Sequence, residues 1–384
     1  MANTITNLIP DLYAALDTVS REQTGYIPAV ARDSGAERAA VGQNVTYPIT
    51  PQGNATDVSP SMQVPEPTEQ TIGNDQIIIQ KSRVAEFGWV GENQRGLNTG
   101  PGYMSIQADQ IAQAMRTLTN EVETDVAVAA AAGASRAVGT AGTTPFSSDI
   151  GGVSQARKTL IDNGAPPMDL GLVINSDAGA NLRTLYGINT DRDFSQMPFS
   201  QQGVLVTPHG MAIRETGQPV SHTAGDAASA TTNSAGYAVG ATEITLASAG
   251  TGEIKDGDVI QFAGDSNKYV VVSGVADVSS GGTVTIQEPG LQVAIGTSAT
   301  DITVVSDYDA NVAFYRPAIH LVTRAPALPQ EGDMAADTMM MSDPRSGLTF
   351  EIRVYPGYRK VRYEVGLAWG VKVTQPRHTG LLLG

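Results

Sequence analysis

The sequence predicts a mixed α+β chain with more than one unit, and three stretches carry that prediction. Ile111, Met115, Leu118, Val122, Val126 and Ala129 recur at spacings of three and four, one stripe of an α-helix. Val361, Tyr363, Val365, Leu367, Trp369, Val371 and Val373 alternate with Arg362, Glu364, Gly366, Ala368, Gly370 and Lys372, the period of a strand with one buried face. From Ala241 to Val305 the apolar runs are short and end at Gly or Asp turns, the pattern of a small barrel or sandwich. The length of 384 residues supports division, because a single core stops growing near ~250–300 residues.

The helix is read over Ser105–Ala132. Gln107, Gln110, Gln113, Arg116, Asn120 and Glu123 lie off its stripe, no Gly or Pro interrupts it, and Gly133, Gly139 and Gly142 end it. At ~1.5 Å per residue it spans roughly 40 Å. Its Ala- and Val-rich tail, 127–132, lets another backbone approach closely. It is either an ordinary core helix or a spine to which separate sheets attach. Glu121 and Asp125 are like charges four apart, which costs about a few tenths of a kcal/mol. With Glu123 they are expected on a solvated face, with an Arg from a neighbouring subunit as the hypothetical partner.

Before the helix, Leu8, Leu12, Leu16 and Val19 make a short helical stripe, with Pro10 in its first turn and Asn7 as a cap. It is too short to stand alone and must dock on its own body or on a neighbouring copy. Residues 28–40 read as polar and irregular. Asn44–Ile49 and Gln76–Val90 read as strands. Pro48, Pro51, Pro60, Pro65 and Pro67 bar regular structure around and between them. The strands can pair as a hairpin whose tip holds Val58, Met62 and Val64, an arm reaching to a partner.

After the helix, Val153, Ala156, Leu160 and Ile161 mark a short helix closed by Gly164. Asp169–Ile174 is a buried strand. Asn175, Ser176 and Asp177 offer caps for a helix through Leu182 and Leu185, and Val204–Val206 and Met211–Arg214 are short strands. Residues 223–237 are small and polar, a linker by content. Strands follow at Ile244–Leu246, Val259–Phe262, Tyr269–Val272, Val284–Ile286, Val293–Ile295 and Ile302–Val305, an all-β stretch that looks inserted. Residues 311–323 form a strand broken at Pro317, 333–345 read as Met-rich and irregular, and Leu348, Phe350, Ile352 and Val354 alternate before a turn at Pro356-Gly357.

The net charge of −15 disfavours a sequence-independent nucleic-acid binder, which needs a basic face. With no Cys, disulfides and thiolate metal sites are excluded. His209, His222, His320 and His378 have no second His or carboxylate at metal-ligand spacing, and His222 and His378 are expected to be solvated. HExxH, GxSxG, GxGxxG and any Gly-Lys pair are absent. Asp256, Asp258 and Asp265 resemble calcium-loop fragments, but turn chemistry explains them first. No catalytic, cofactor-binding or metal residue is expected. The first residues lack the basic and apolar regions of a signal peptide, and no apolar run reaches the ~20 residues of a membrane span, so a cytoplasmic chain is expected.

The order of these parts resembles the major capsid (coat) proteins of tailed bacteriophages, in the P22-like branch of the HK97-fold lineage. Leu8–Val19 is similar to the N-arm, the hairpin 42–79 to the extended E-loop, and Ser105–Ala132 to the spine helix. The all-β stretch, with TLASAGTGEIKDGDVIQFAG, is similar to the inserted β-barrel, and YEVGLAWGVKVTQPRHTG to the closing strand with its Thr374-Gln375-Pro376 stop. Residues 223–237 are longer and blander than the family's approach to its barrel. The resemblance implies an N-arm over 1–41, an E-loop hairpin over 42–80 and a peripheral domain over 81–135. It implies an axial domain over 136–222 and 311–355, an inserted β-barrel with linker over 223–310, and a closing strand over 356–384. It further implies a non-enzymatic shell protein without cofactors, assembled in a bacterial cytoplasm into a virion. Its partners would be its own copies as hexamers and pentamers, a scaffolding protein, a portal and a decoration protein. The shell would enclose double-stranded DNA without reading its sequence and would not meet a membrane. The rival reading is a surface protein whose β-barrel holds a carbohydrate or a partner protein; a hydrolase dependent on one of the four histidines is a third.

Overall fold

A long helix and the sheets packed on it organise the computed structural model, which describes residues 22–49, 73–97, 103–189, 204–206 and 208–384, with 57, 58, 60 and 62. The helical stripe at Leu8–Val19 and most of the hairpin tip, Val64 included, lie outside the described residues.

The first elements are β1 (Ala31–Ala39), β2 (Asn44–Ile49), β3 (Gly73–Ile78), β4 (Lys81–Val90), α1 (Gly91–Leu97) and α2 (Tyr103–Ala132). Next come β5 (Arg136–Gly139), α3 (Gly151–Asp162), β6 (Leu170–Ile174), α4 (Ser176–Asn189), β7 (Val204–Val206), β8 (Met211–Glu215) and β9 (Val220–His222). The β-rich stretch holds β10 (Ala230–Thr231), β11 (Glu243–Leu246), β12 (Val259–Phe262), β13 (Lys268–Ser273), β14 (Gly282–Ile286) and β15 (Asp301–Val304). The chain closes with β16 (Tyr308–Tyr315), β17 (Ile319–Pro326), β18 (Asp337–Ser342), β19 (Thr349–Gly357), β20 (Lys360–Val373) and β21 (Thr379–Leu383).

Helix α2 buries its expected stripe from Ile111 to Val126 against Phe350, Leu367, Trp369 and the incoming segment at Tyr26 and Ile27. A second row, Thr119, Glu123, Ala127 and Ala130, is buried beside it, so the helix is covered over more of its circumference than one stripe requires. Gln107, placed off the stripe by spacing alone, is buried as well.

The sheet on this helix runs β1-β17-β20-β19-β18, and β4 also pairs with β20. Three sequence expectations fail in it. Residues 28–40 are not irregular: β1 runs parallel to β17, from Ala31 beside His320 to Ala39 beside Pro326. The Met-rich stretch contains β18, paired antiparallel with β19. In both cases a partner strand supplies hydrogen bonds that local composition does not reveal. The single strand expected over Gln76–Val90 is broken at Ile79-Gln80, where the chain passes from the β2–β3 hairpin into β4.

Strand β20 also departs from one-sided burial, since Gly366 to Val371 are buried on both faces. The face opposite α2 is covered by the root of the hairpin, where Ile77 and Ile79 pack with Ala39, Val322 and Ala368. Contact there is so close that a Cβ at Gly370 would lie 2.1 Å from the Ile78 carbonyl oxygen. Gly370→Val is therefore expected to force the hairpin off the sheet and cost about 1–3 kcal/mol. Thermal melts would give the loss, and faster amide exchange at 76–80 would place it.

The second sheet joins the α/β elements to the β-rich stretch in the order β10-β15-β12-β13-β5-β21-β16-β6-β8-β7. Helices α3 and α4 cover β6 and β8 through Val153, Leu160, Ala178 and Leu182. Ile161, counted among the apolar positions of α3, is exposed. Asn175 caps α4 by accepting the Ala178 N–H at 2.9 Å.

The β-rich stretch has its own core, including Ile244, Ile260, Phe262, Tyr269 and Val284. Its strands pair β11-β14-β13-β12-β15-β10, and the bridge between Thr232 and Leu246 brings the last strand back to the first. Residues 223–237 are thus not a linker: β10 pairs with β15, Thr232 is fully buried, and Tyr237 bridges to Ile295. Small polar residues serve a tight corner as readily as a free tether. Val293–Ile295, expected as a strand, contributes only that bridge.

Candidate functional site

The described residues concentrate their unusual chemistry at two junctions. The first is the entry of residues 22–27 onto α2. Glu123 is fully buried and accepts the backbone N–H groups of Gly25, Tyr26 and Ile27 at 2.6, 2.8 and 3.0 Å, and the Thr216 hydroxyl at 2.8 Å. Burial pushes its carboxyl up, and the four donors pull against that shift. This overturns the expectation of a solvated Glu123. The available signal was its place in the row with Thr119, Ala127 and Ala130.

About two turns away, Arg116 grips Glu22 through two nitrogens, and between them Asn120 adds an amide at 2.6 Å. The hydrogen bond from Arg116 is the main reason the Glu22 carboxyl is held down at about 2. A carboxyl depressed in the folded state adds stability above its unfolded value of about 4.5, and that stability disappears as pH falls toward 2. Arg116→Ala is expected to return Glu22 toward its ordinary range, read by a carbon-detected NMR titration. The wild-type chain should then lose its grip on residues 22–27 between pH 4.5 and 2, and the variant already near the upper end of that window.

The second junction is the root of the hairpin. Lys81 reaches Glu121 at 3.0 Å and Asp125 at 2.9 Å, and Arg83 reaches Glu121 at 3.2 Å. The indole N–H of the buried Trp369 donates to Asp125 at 2.8 Å. Within the chain, the two like charges are therefore met by Lys81 and Arg83. At the far side, Tyr47 and Lys372 both hold Asp75, and Tyr47 stacks on His320 at 5.7 Å.

Beyond this root the arm changes character. Val58 and Met62, at its tip, are wholly exposed at 96% and 106%; Val41 and Ile78, back at the root, are exposed in part.

The histidines lie in separate parts of the fold. His209 is exposed with φ 53°, and His320 faces Tyr47. His222 is not solvated: its Nε2 lies 2.7 Å from Oδ1 of the fully buried Asp258, and its ring lies 5.2 Å from Tyr308. His378 is half-buried with its ring edge-on to Tyr315. Asp258 and Asp265 follow the turn reading. Asp258 also accepts the Gly225 and Lys255 N–H groups, and Asp265 accepts the Asn267 N–H and the Tyr269 hydroxyl. Among the described residues no three His, Asp or Glu side chains converge to hold a metal ion, and no helix is long and apolar enough to cross a membrane.

No family model matches the chain, and no curated protein matches it. Solved structures do. The chain is similar to one titled as the capsid structure of the cyanophage P-SCSP1u, with 12% identity, a TM-score of 0.49, and 95% of this chain and 89% of that one covered. It is similar to the capsid of Ralstonia phage GP4, at 9% identity and a TM-score of 0.45 over 95% and 92% of the two chains. A virus-like particle from Pyrococcus furiosus is similar at 11% identity and a TM-score of 0.42, over 97% and 96%.

Proposed function

We propose that this chain is the structural subunit of an icosahedral shell, a major capsid protein of the tailed-bacteriophage kind with the HK97-like fold. Within that fold it takes the P22-like arrangement, with residues 223–310 as an inserted β-barrel domain. The observation that carries the reading is the arm. A hairpin rooted on its own body by Ile77, Ile79 and Asp75 presents Val58 and Met62 entirely to solvent at its tip. An isolated soluble chain gains nothing by exposing these apolar side chains, whereas a neighbouring copy buries them. The order of parts supports the same conclusion: entry segment, arm, spine helix, α/β unit, β-rich unit and closing strand.

In this reading the chain meets its own copies in hexamers and pentamers, assembles in a bacterial cytoplasm with a scaffolding protein and a portal, and accepts a decoration protein. It encloses double-stranded DNA without sequence-specific contacts, and its excess negative charge keeps the wall from binding what it holds. It acts without enzymatic chemistry, cofactor or membrane.

Negative-stain electron microscopy of the expressed protein, with scaffold supplied, tests the proposal. Closed shells of uniform diameter are expected, and particles absent across a range of salt and protein concentration would refute it. Leu12→Asp is expected to leave the thermal melt of the single chain within about 0.5 kcal/mol of wild type while reducing shell yield.

A further inference from the structure

A cleft of about 810 Å³ opens between the entry segment, α2 and the loop 343–347, lined by Arg32, Arg116, Arg214, Arg316 and Arg345. Two carboxylates also line it, so five arginines face two acids: Glu22 pairs with Arg116 and Asn120, and Asp343 accepts from the N–H and hydroxyl of Ser346. The cleft therefore carries an excess of positive charge in a chain whose net charge is −15. Burial, and then the charge of Arg316, holds both Arg32 and Arg214 below the ordinary arginine range. Mutual repulsion of this kind is relieved by a bound anion.

The complementary surface is on the same molecule. Residues 223–310 contain eleven carboxylates against Lys255 and Lys268 alone, a net charge of −9. Asp226, Glu243, Asp256, Asp277, Asp301 and Asp307 are exposed there, and none of the six pairs with a cation among the described residues. The two cations of this lobe are engaged elsewhere, Lys255 with Glu253 and Lys268 with the Gly139 carbonyl.

We propose that the arginine cleft of one copy receives the acidic β-rich lobe of a second copy. Guanidinium groups suit this role because each can take a carboxylate with two parallel N–H bonds. Two different patches meet, so the contact is head-to-tail and propagates around a ring rather than closing as a two-fold dimer. It rests on the shell reading, in which every copy has sisters on several sides. A chain with this net charge supplies carboxylates to its neighbours in excess, and the cleft is where they are received.

The test compares wild type, a cleft variant (Arg316→Glu with Arg345→Glu) and a lobe variant in which the six exposed carboxylates become Asn or Gln. Sedimentation velocity from low to high salt gives the association constant, and thermal melts check that each variant is folded. Both variants are expected to associate at least about tenfold more weakly than wild type at low salt, with the difference shrinking as salt rises. In a second arm, Arg316→Lys with Arg345→Lys is treated with a carbodiimide as a mixture of isotope-labelled and unlabelled copies. Mixed-label cross-links are expected from these lysines to carboxylates within 223–310. Association unchanged in either folded variant, or cross-links confined to carboxylates outside 223–310, overturns the inference while shells of the wild type leave the functional reading standing. A wild type that never associates overturns both. Retention of a fluorescent DNA duplex by wild type, lost in the cleft variant, would assign the cleft to nucleic acid and also overturn the inference.

Discussion

Trp369→Ala is expected to lower the unfolding free energy by about 3–5 kcal/mol. Trp369 is the largest fully buried side chain and sits at the centre of β20, in register with Thr323 of β17 and Lys81 of β4. Its ring lies on the α2 stripe and under the Lys81 ammonium, 5.9 Å from the ring centroid. Truncation removes this packing and also strips Asp125 of one of its two donors, leaving Lys81 alone to hold it. Trp369→Phe is the milder change, because it keeps a six-membered aromatic ring while deleting the N–H together with part of the indole's volume. A loss of about 1.5–3 kcal/mol is expected for that bond to a carboxylate. Denaturant melts with fixed m-values would measure both. Equal losses for the two variants would mean that the N–H and the part of the indole absent from phenylalanine carry the whole effect.

Glu123→Ala is the second large effect, at about 3 kcal/mol or more. The carboxylate meets three consecutive backbone donors, at Gly25, Tyr26 and Ile27. Its removal leaves those N–H groups and the Thr216 hydroxyl buried without a partner, each costing about 1–3 kcal/mol unless water enters. Glu123→Gln keeps one acceptor oxygen and should recover part of the loss. The two variants also locate the effect. Amide exchange at residues 25–27 should accelerate strongly in Glu123→Ala, while the β11–β14 pair, in a separate core, should not respond. Global acceleration across both cores would show instead that the chain unfolds as one unit.

The two experiments bear on what a one-dimensional reading can reach. The α2 stripe, the alternation of β20 and the turn-bounded strands at 243–286 are local periodicities, and each appears where the sequence places it. The hairpin pairing of β2 with β3 follows from two apolar runs flanking a proline-barred stretch. Helix α2 begins at Tyr103 rather than Ser105, within the fraying expected of any helix end.

The failures share one cause. Strand β1 is polar and reads as loop, yet β17 offers it a parallel edge. Residues 223–237 read as tether, yet the corner of a sheet uses the same small side chains. Glu123, Glu121, Asp125 and His222 read as solvated because charge predicts exposure, yet each has a partner many residues distant.

Sequence alone determined the long helix, the period of the closing strand, the net acidity of the chain and the proline-barred arm, because periodicity and composition are properties of neighbours along the chain. Only the tertiary structure decided that Glu123 anchors the entry segment, that Lys81 neutralises Glu121 and Asp125, and that five arginines face one cleft. Those facts depend on donors and charges brought together across tens to hundreds of residues, and no local pattern encodes which ones will meet.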